Sequence, residues 1–230
     1  MQQLLIFPCG ANGLEALDCL TDDTHFLGFI DDNKEKQVEN NFNNKTLDFK
    51  VFDRDFYKKS YKEFLEKYNN LKFLVCVGSP ATFRERKTII EDFCKDLNID
   101  KHQLATIIHP SAKISKYASI GSNCLIMAGV VITHNAKIGD NVIVLPNSVI
   151  HHDTEIGDFT CIGANVVIAG NVKISESCYI GSGATILQNI QIGTKTMVGL
   201  SAVVIRDIGE NKTVVGNPAR EIYSSKSKKS

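Results

Sequence analysis

His152 is followed directly by Asp153, and a carboxylate beside an imidazole is an arrangement suited to proton transfer. The carboxylate orients the ring and raises its basicity, so the pair has the makings of a general base. His134 lies two residues after Ile132, just as His152 lies two residues after Ile150, so the two histidines share a phase. A ladder of polar corner side chains is the alternative for such a column. It is the reading adopted for Asn135, Asn171 and Asn189, which share the phase of Asp153. His151 is read as a plain exposed residue.

A second set of candidates lies near the start of the chain. Gly10-x-x-Gly13, with Asn12 and Leu14 around it, follows the apolar run Gln3–Phe7. It is either a tight turn or a phosphate-binding loop, because the full dinucleotide fingerprint is missing. Asp31 and Asp32 close a second apolar run, His25–Ile30, as an exposed acidic loop or as acceptors for a ribose or base. Gly78-Ser79 closes a third, Leu71–Val77. Helices are expected over Leu14–Leu20, Phe56–Tyr68 and Ala81–Leu97, a loop over 33–50, and a last strand over Gln103–Ile108. Strands alternating with helices predict a parallel sheet covered on both faces, a small Rossmann-like α/β domain. Ligands of such sheets bind at the carboxyl ends of the strands, where all three loops converge.

From Ile108 to Val204 every sixth residue is Ile or Val. The residue two before each is mostly small or β-branched, as in Cys124, Ala136, Ser148, Thr160 and Cys178. A period of six is neither helical nor simple alternation. It marks a β-solenoid, whose short strands point a large and a small residue inward and whose corners use Gly, Asn and Asp. This pattern resembles the hexapeptide-repeat acyltransferases, which fold as left-handed parallel β-helices with three hexapeptides per triangular coil. The resemblance implies nearly six coils for the seventeen anchors, and at ~4.8 Å per coil a prism roughly 27 Å tall. It also stacks His134 and His152 at one corner, about 5 Å apart. Three segments are expected: an α/β domain over 1–106, the β-helix over 107–208, and a terminal segment with a basic tail over 209–230. Pro218 cannot donate to a ladder and should end the β-helix.

Composition narrows the partners. The 230 residues carry a formal net charge of zero with 23% charged residues, so no broad field for nucleic acid or a membrane surface is expected. No signal peptide and no apolar run of transmembrane length are read, and the basic tail 224–230 is expected to be a solvated end. The seven cysteines are odd in number, several fall at core phases and none has zinc-ligand spacing, which fits reduced thiols in a cytoplasmic protein.

The glycine loop, Ile30-Asp31-Asp32, Val77-Gly78-Ser79, the segment Val149–Phe159, Ala169–Ile174 and Val215-Gly216-Asn217-Pro218-Ala219-Arg220 together resemble one group within these acyltransferases. It is the sialic-acid O-acetyltransferase and nucleotide-sugar N-acetyltransferase group. The resemblance implies acetyl-CoA as co-substrate, no metal, and a homotrimer with CoA in the groove between neighbouring prisms. The acceptor it implies is the 4-amino group of a nucleotide-linked 4-amino-4,6-dideoxyhexose, for bacterial glycan or surface polysaccharide synthesis. It makes His152 the general base and Asp153 the residue that polarises it. Gly10, Asn12, Gly13, Leu14, Asp31, Asp32, Gly78 and Ser79 would hold the nucleotide sugar. Cys161, Gly170, Ser182, Gly216, Asn217, Pro218 and Arg220 would hold acetyl-CoA. Three positions depart from several relatives: Leu14 and Cys161 where they have His, and Asp153 where they have Glu.

A free amine attacks a thioester, and an imidazole titrating near neutrality is suited to take the amine's proton. The backbone N–H of Gly170, one coil above His152, is the expected oxyanion donor. Transfer is expected to be direct, with Cys161 the only thiol near enough to compete as an acyl carrier. Three other readings share the fold: O-acetylation of a sialic-acid-like sugar, a non-catalytic sugar-nucleotide-binding β-helix, and a metal-dependent hydratase using His109, His134, His151 and His152.

Overall fold

The computed structural model describes residues 1–33, 41–42, 45–46 and 49–222. The α/β region is a four-stranded parallel sheet built from β1 (Gln2–Phe7), β2 (Thr24–Ile30), β5 (Val51–Phe52) and β6 (Leu71–Val75), in the order β5-β2-β1-β6. Within the stretch expected to be a loop, β3 (Asn41–Phe42) and β4 (Lys45–Thr46) form a short antiparallel ladder. The remainder of 34–48 and the tail from 223 onward lie outside the described residues.

The helices are shifted from their expected bounds for local reasons. α1 spans Ala11–Leu17, because Gly10 is its N-cap and the Gly10 carbonyl already accepts the Leu14 N–H. Asn12 and Gly13 therefore sit in a first helical turn and not in a loop. α2 spans Arg54–Lys67, two residues earlier than expected, because the Asp53 carboxylate caps it by accepting the Phe56 N–H. α3 spans only Arg86–Asp96. The chain ahead of it is spent on turns, with the Ser79 carbonyl accepting from Thr82 and the Ser79 hydroxyl accepting from Ala81. The expected strand Gln103–Ile108 is three things: the end of a 3-10 turn (Lys101–Gln103), a bridge from Leu104 to Phe73, and the first strand of the solenoid at Ile107–Ile108.

From Ile107 onward seventeen two-residue strands stack as parallel ladders in three faces. The first face carries Ile107, Leu125, Ile143, Cys161, Tyr179 and Met197. The second carries Lys113, Val131, Val149, Val167, Thr185 and Val203. The third carries Ser119, Lys137, Glu155, Lys173 and Gln191. The anchors from Ile126 to Val204 are buried, whereas Ile108 stays 37% exposed, since the first coil has no coil beneath it. The inward hydroxyls of Ser148, Thr154 and Thr160 donate to the carbonyls of Gly163, Ala169 and Ser175, so the core holds polar atoms without leaving these three unpaired. Corner residues take a left-handed backbone at a period of six, from Asn123 through Asn135, Asn141, Asn147, Asp153, Asn165 and Asn171. Asn and Asp tolerate that conformation better than other non-glycine residues.

The α/β region sits on the first face. Leu4, Ile6, Cys9 and Leu74 share a core with Leu125, Met127, Ile143 and Cys161. A buried polar joint runs beside this core. The Asn123 amide, at a corner of the prism, pairs both backbone groups of Val75: its Oδ1 accepts the Val75 N–H at 2.8 Å and its Nδ2 donates to the Val75 carbonyl at 3.0 Å. One coil up, Asn141 accepts from the same Nδ2 at 2.8 Å through its Oδ1, while its carbonyl accepts from the fully buried Arg86. Arg86 donates also to the Val77 carbonyl. The parallel stacking of the first face ends at Thr213–Val215, which then pairs antiparallel with Arg220–Glu221. Pro218 lies in the turn between them, consistent with a residue that cannot extend the ladder.

Asn123→Ala would leave the buried Val75 N–H and C=O without partners, each costing about 1–3 kcal/mol, and would put alanine, which tolerates a left-handed backbone less well than asparagine, at the corner. Denaturant unfolding should show it losing well over the ~1–2 kcal/mol expected for Asn165→Ala, a left-handed corner residue exposed to solvent. Equal losses would contradict the joint.

Candidate functional site

The corner between the second and third faces carries His152 and Asp153. His152 Nδ1 lies 2.8 Å from Asp153 Oδ2. Asp153 is held in turn by Asn135, one coil below, whose Nδ2 donates to Oδ1 at 2.7 Å. Hydrogen bonds from Asn135 first, and from His152 next, hold the Asp153 carboxyl below the usual carboxylate range. An ionised carboxylate only accepts, so the ring proton sits on Nδ1 and the free lone pair on Nε2. The imidazole and the carboxylate are both largely solvent-exposed, at 60% and 48%. The neighbouring rung of the column, Asn171 to Asn189 at 2.7 Å, has no ionisable member.

Gly170 stands one coil above His152. A β-carbon there would lie 2.6 Å from Nε2 and 2.7 Å from Cε1, so the imidazole occupies the space that any side chain at 170 would fill. No hydrogen bond among the described residues uses the Gly170 N–H, whereas its carbonyl accepts from Asn189. His134, one coil below His152, packs its ring against Tyr117 at 4.8 Å.

The N-terminal loops meet one another. Gly13 is buried so closely on the Pro8 carbonyl, 2.3 Å from where a β-carbon would be, that only glycine fits. The Asn12 amide donates to the carbonyls of Cys76 and Gly78, tying the glycine segment to the third-strand loop. Asp31 is buried, its carboxylate accepting from the backbone N–H groups of Cys9 and Asn33. It fixes the path of the glycine segment. Asp32 is exposed and ion-paired with Arg54, beside a polar cleft of about 660 Å³ that Asp53, Lys58, Lys59 and Asp96 also line. Leu14 is half-buried and packs into the core under the sheet.

The residues expected around acetyl-CoA do not come together in one chain. Gly170 is with His152. Ser182, whose hydroxyl accepts from the Ala164 N–H, stands on the edge between the first and second faces. The exposed turn Gly216-Asn217-Pro218 sits at the top of that same edge, where the Gly216 carbonyl and the Ala219 N–H bond to Val203. Arg220 is exposed beside it, its Nη1 bonded to the Ala219 carbonyl. Cys161 is in neither place. It is buried between the prism and the α/β region, 3.5 Å from the β-carbon position of Gly78, and burial pushes its thiol up from the ordinary range. It therefore lines the joint under the Gly78 loop and is shielded from any groove at the prism surface. Asn135, Asn123, Asn141 and Arg86 were not legible as site or joint residues; the only signal for Asn135 was its distance of one coil from Asp153.

Among the described residues no three His, Cys, Asp or Glu side chains gather as metal ligands, and no helix is long and apolar enough to cross a membrane.

Repeat and two-part architecture together give the fold seen in hexapeptide-repeat acetyltransferases, an α/β region on a left-handed parallel β-helix. Residues 135–170 match the family model described as bacterial transferase hexapeptide (six repeats). The acetyltransferase domain of PglB from Neisseria gonorrhoeae, solved with acetyl coenzyme A, is 26% identical, with a TM-score of 0.74 over 96% of this chain and 99% of that one. PerB from Caulobacter crescentus, solved with CoA and GDP-perosamine, shares the fold at 23% identity and a TM-score of 0.78, over 97% and 98% of the two chains. WeeI from Acinetobacter baumannii does so at 24% identity and a TM-score of 0.74, over 96% and 100%. No curated protein sequence matches the chain.

Gly170→Ala should displace the imidazole from its rung while leaving the melting temperature nearly unchanged, because the clash is with the far end of an exposed side chain. The His152 ring resonances should move; ring signals identical to the wild type would contradict the close stacking.

Proposed function

We propose that this chain transfers the acetyl group of acetyl-CoA to the 4-amino group of a nucleotide-linked 4-amino-4,6-dideoxyhexose, serving glycan or surface polysaccharide synthesis in the cytoplasm. The observation that carries the reading is the Asp153–His152–Gly170 stack: an oriented imidazole with its Nε2 bare and a backbone N–H above it free of protein partners. The amine nitrogen attacks the thioester carbonyl carbon as Nε2 takes the amine proton. Asp153 steadies the imidazolium. The Gly170 N–H is offered to the oxyanion. The C–S bond then breaks, the acetyl group stays on nitrogen, and the departing thiolate takes the proton from Nε2. Cys161 does not carry the acetyl group, since a buried thiol raised in pKa is a poor nucleophile.

The nucleotide sugar is held by Gly10, Asn12, Gly13, Asp32, Gly78 and Ser79, with Asp31 acting through Cys9 and Leu14 contributing only packing. These loops lie over the first face, and His152 stands at the corner between the other two, so one chain alone does not bring substrate and base together. The character of the three faces supports an arrangement in which neighbouring copies do. The first face is covered by the chain's own α/β region, and the third presents Lys137, Glu155 and Lys173 to solvent. The second presents Val131, Val149, Val167 and Val203 outward, with Leu187 and Ile205 exposed beside them. An apolar face of this extent is what an obligate interface covers. Three prisms with their second faces toward a common axis set the edge bearing Ser182 and Gly216–Pro218 of each copy against the His152 edge of the next. The groove so formed accommodates CoA, and the nucleotide loops of one copy reach the base of its neighbour.

The test is thiol release from acetyl-CoA with UDP-, dTDP- and GDP-linked 4-amino-4,6-dideoxyhexoses, beside His152→Ala. One nucleotide sugar should give fast release, lost by about 10²–10⁴-fold in the variant. No release with any amine, or full activity in His152→Ala, would overturn the reading.

A further inference from the structure

The pair His152–Asp153 is legible in sequence, but Asp153 has a second partner that the mechanism above does not use. Asn135 Nδ2 donates to Asp153 Oδ1 at 2.7 Å, while Asp153 Oδ2 faces His152 Nδ1 at 2.8 Å. The carboxylate is thus gripped at both oxygens. Its backbone is gripped as well, since the Asp153 N–H donates to the His134 carbonyl at 3.1 Å. Asp153 is half exposed. An exposed aspartate with a single partner samples several rotamers. Resting on the acetyltransferase reading, we propose that Asn135 is a positioning residue: it fixes the Asp153 carboxylate so that Oδ2 takes the Nδ1 proton of His152 and leaves Nε2 bare beside Gly170.

The rung is distinguished from its neighbour. Asn171 and Asn189 make the same contact two coils higher, with no carboxylate and no imidazole attached. That pair does for the corner whatever a polar ladder does; only the Asn135 rung ends on a titratable ring. The charged and titratable groups facing His152 and Asp153 are few. His134 lies below on the same edge, packed on Tyr117, whose ring Lys116 also approaches. His151 precedes the base on the second face. Lys137, ion-paired with Glu155 at 3.0 Å, and Lys173 stand on the third. None of these takes the place of Asn135 at Oδ1.

Both Asn135 and Asn189 have a left-handed backbone, with φ of 56° and 63°. Glycine and aspartate keep that conformation, so Asn135→Gly, Asn135→Asp and Asn189→Gly remove or change the amide without backbone strain. Two readouts are used: nitrogen-15 shifts of the His152 ring, which report its tautomer without any substrate, and the pH profile of kcat/KM. Asn135→Gly should lose the Nδ1–H preference. Its kcat should fall about tenfold, less than the 10²–10⁴-fold that a general base supplies, and its acid limb should move to lower pH as the imidazolium loses its fixed partner. Asn135→Asp should move the acid limb the other way, because added negative charge favours the imidazolium. Asn189→Gly should change neither readout. A wild-type tautomer and pH profile in Asn135→Gly, or the same change in Asn189→Gly, would overturn the proposal. If the wild type acetylates no nucleotide sugar, the acetyltransferase reading fails, and the ring tautomer still decides the role of Asn135.

Discussion

The uninterrupted six-residue period is the constraint on which the rest of the molecule depends. Three such units close one coil, so residue n stands directly on residue n + 18, and each backbone ladder pairs at that interval. A single inserted residue would shift every column above it. The columns do the work at each edge. Asn123 under Asn141 builds the joint to the sheet, Asn135 under Asp153 holds the carboxylate that meets His152, and Gly170 over His152 opens space for the ring. The same register that buries the Ile and Val anchors therefore places the polar groups at the prism corners.

The left-handed corners connect this register to chemistry. Asparagine is used there because it accepts the backbone geometry and still offers both a donor and an acceptor. At most corners the amide has only a neighbouring rung to meet. At Asn123 it meets a strand of another layer and completes its hydrogen bonds, so the α/β region is registered to the prism by side chains, not by shape alone. Arg86 reinforces the same joint through the carbonyls of Val77 and Asn141. The Gly10–Gly13 and Gly78–Ser79 segments inherit their position from these contacts, because Gly78 follows Val77 by one residue and Asn12 is tied to Gly78.

The parts of this arrangement visible in sequence are those that repeat. The anchors, the small inward column and the phase shared by His134 and His152 follow from one period and describe the prism from Ile107 to Val204. The pairing of His152 with Asp153 needs only adjacent residues. What was hidden is what is not local. Cys161 shares the outward phase of Ile143 and Tyr179, and only the position of the α/β region decides that it is buried and not at a groove. The start of α1 at Ala11 depends on Gly10 acting as a cap, and the start of α3 at Arg86 depends on turns after Pro80. The start of α2 could have been found from Asp53 three residues before Phe56. Asp31 and Asp32 read alike as neighbours, yet one is buried as a brace for Cys9 and the other is paired to Arg54 at the surface.

The composite site proposed, with its base from one copy and its substrate loops from another, predicts complementation between copies. It is tested by mixing two inactive proteins. His152→Ala removes the base. Gly13→Val removes the loop, since its side chain would collide with the Pro8 carbonyl. Subunits of the two are co-refolded and assayed for acetyl transfer to the nucleotide sugar that the wild type accepts. Composite sites predict recovered activity, because a ring holding both kinds of subunit contains a site with an intact base beside an intact loop. No recovery in mixed assemblies shown by mass to contain both variants would contradict it.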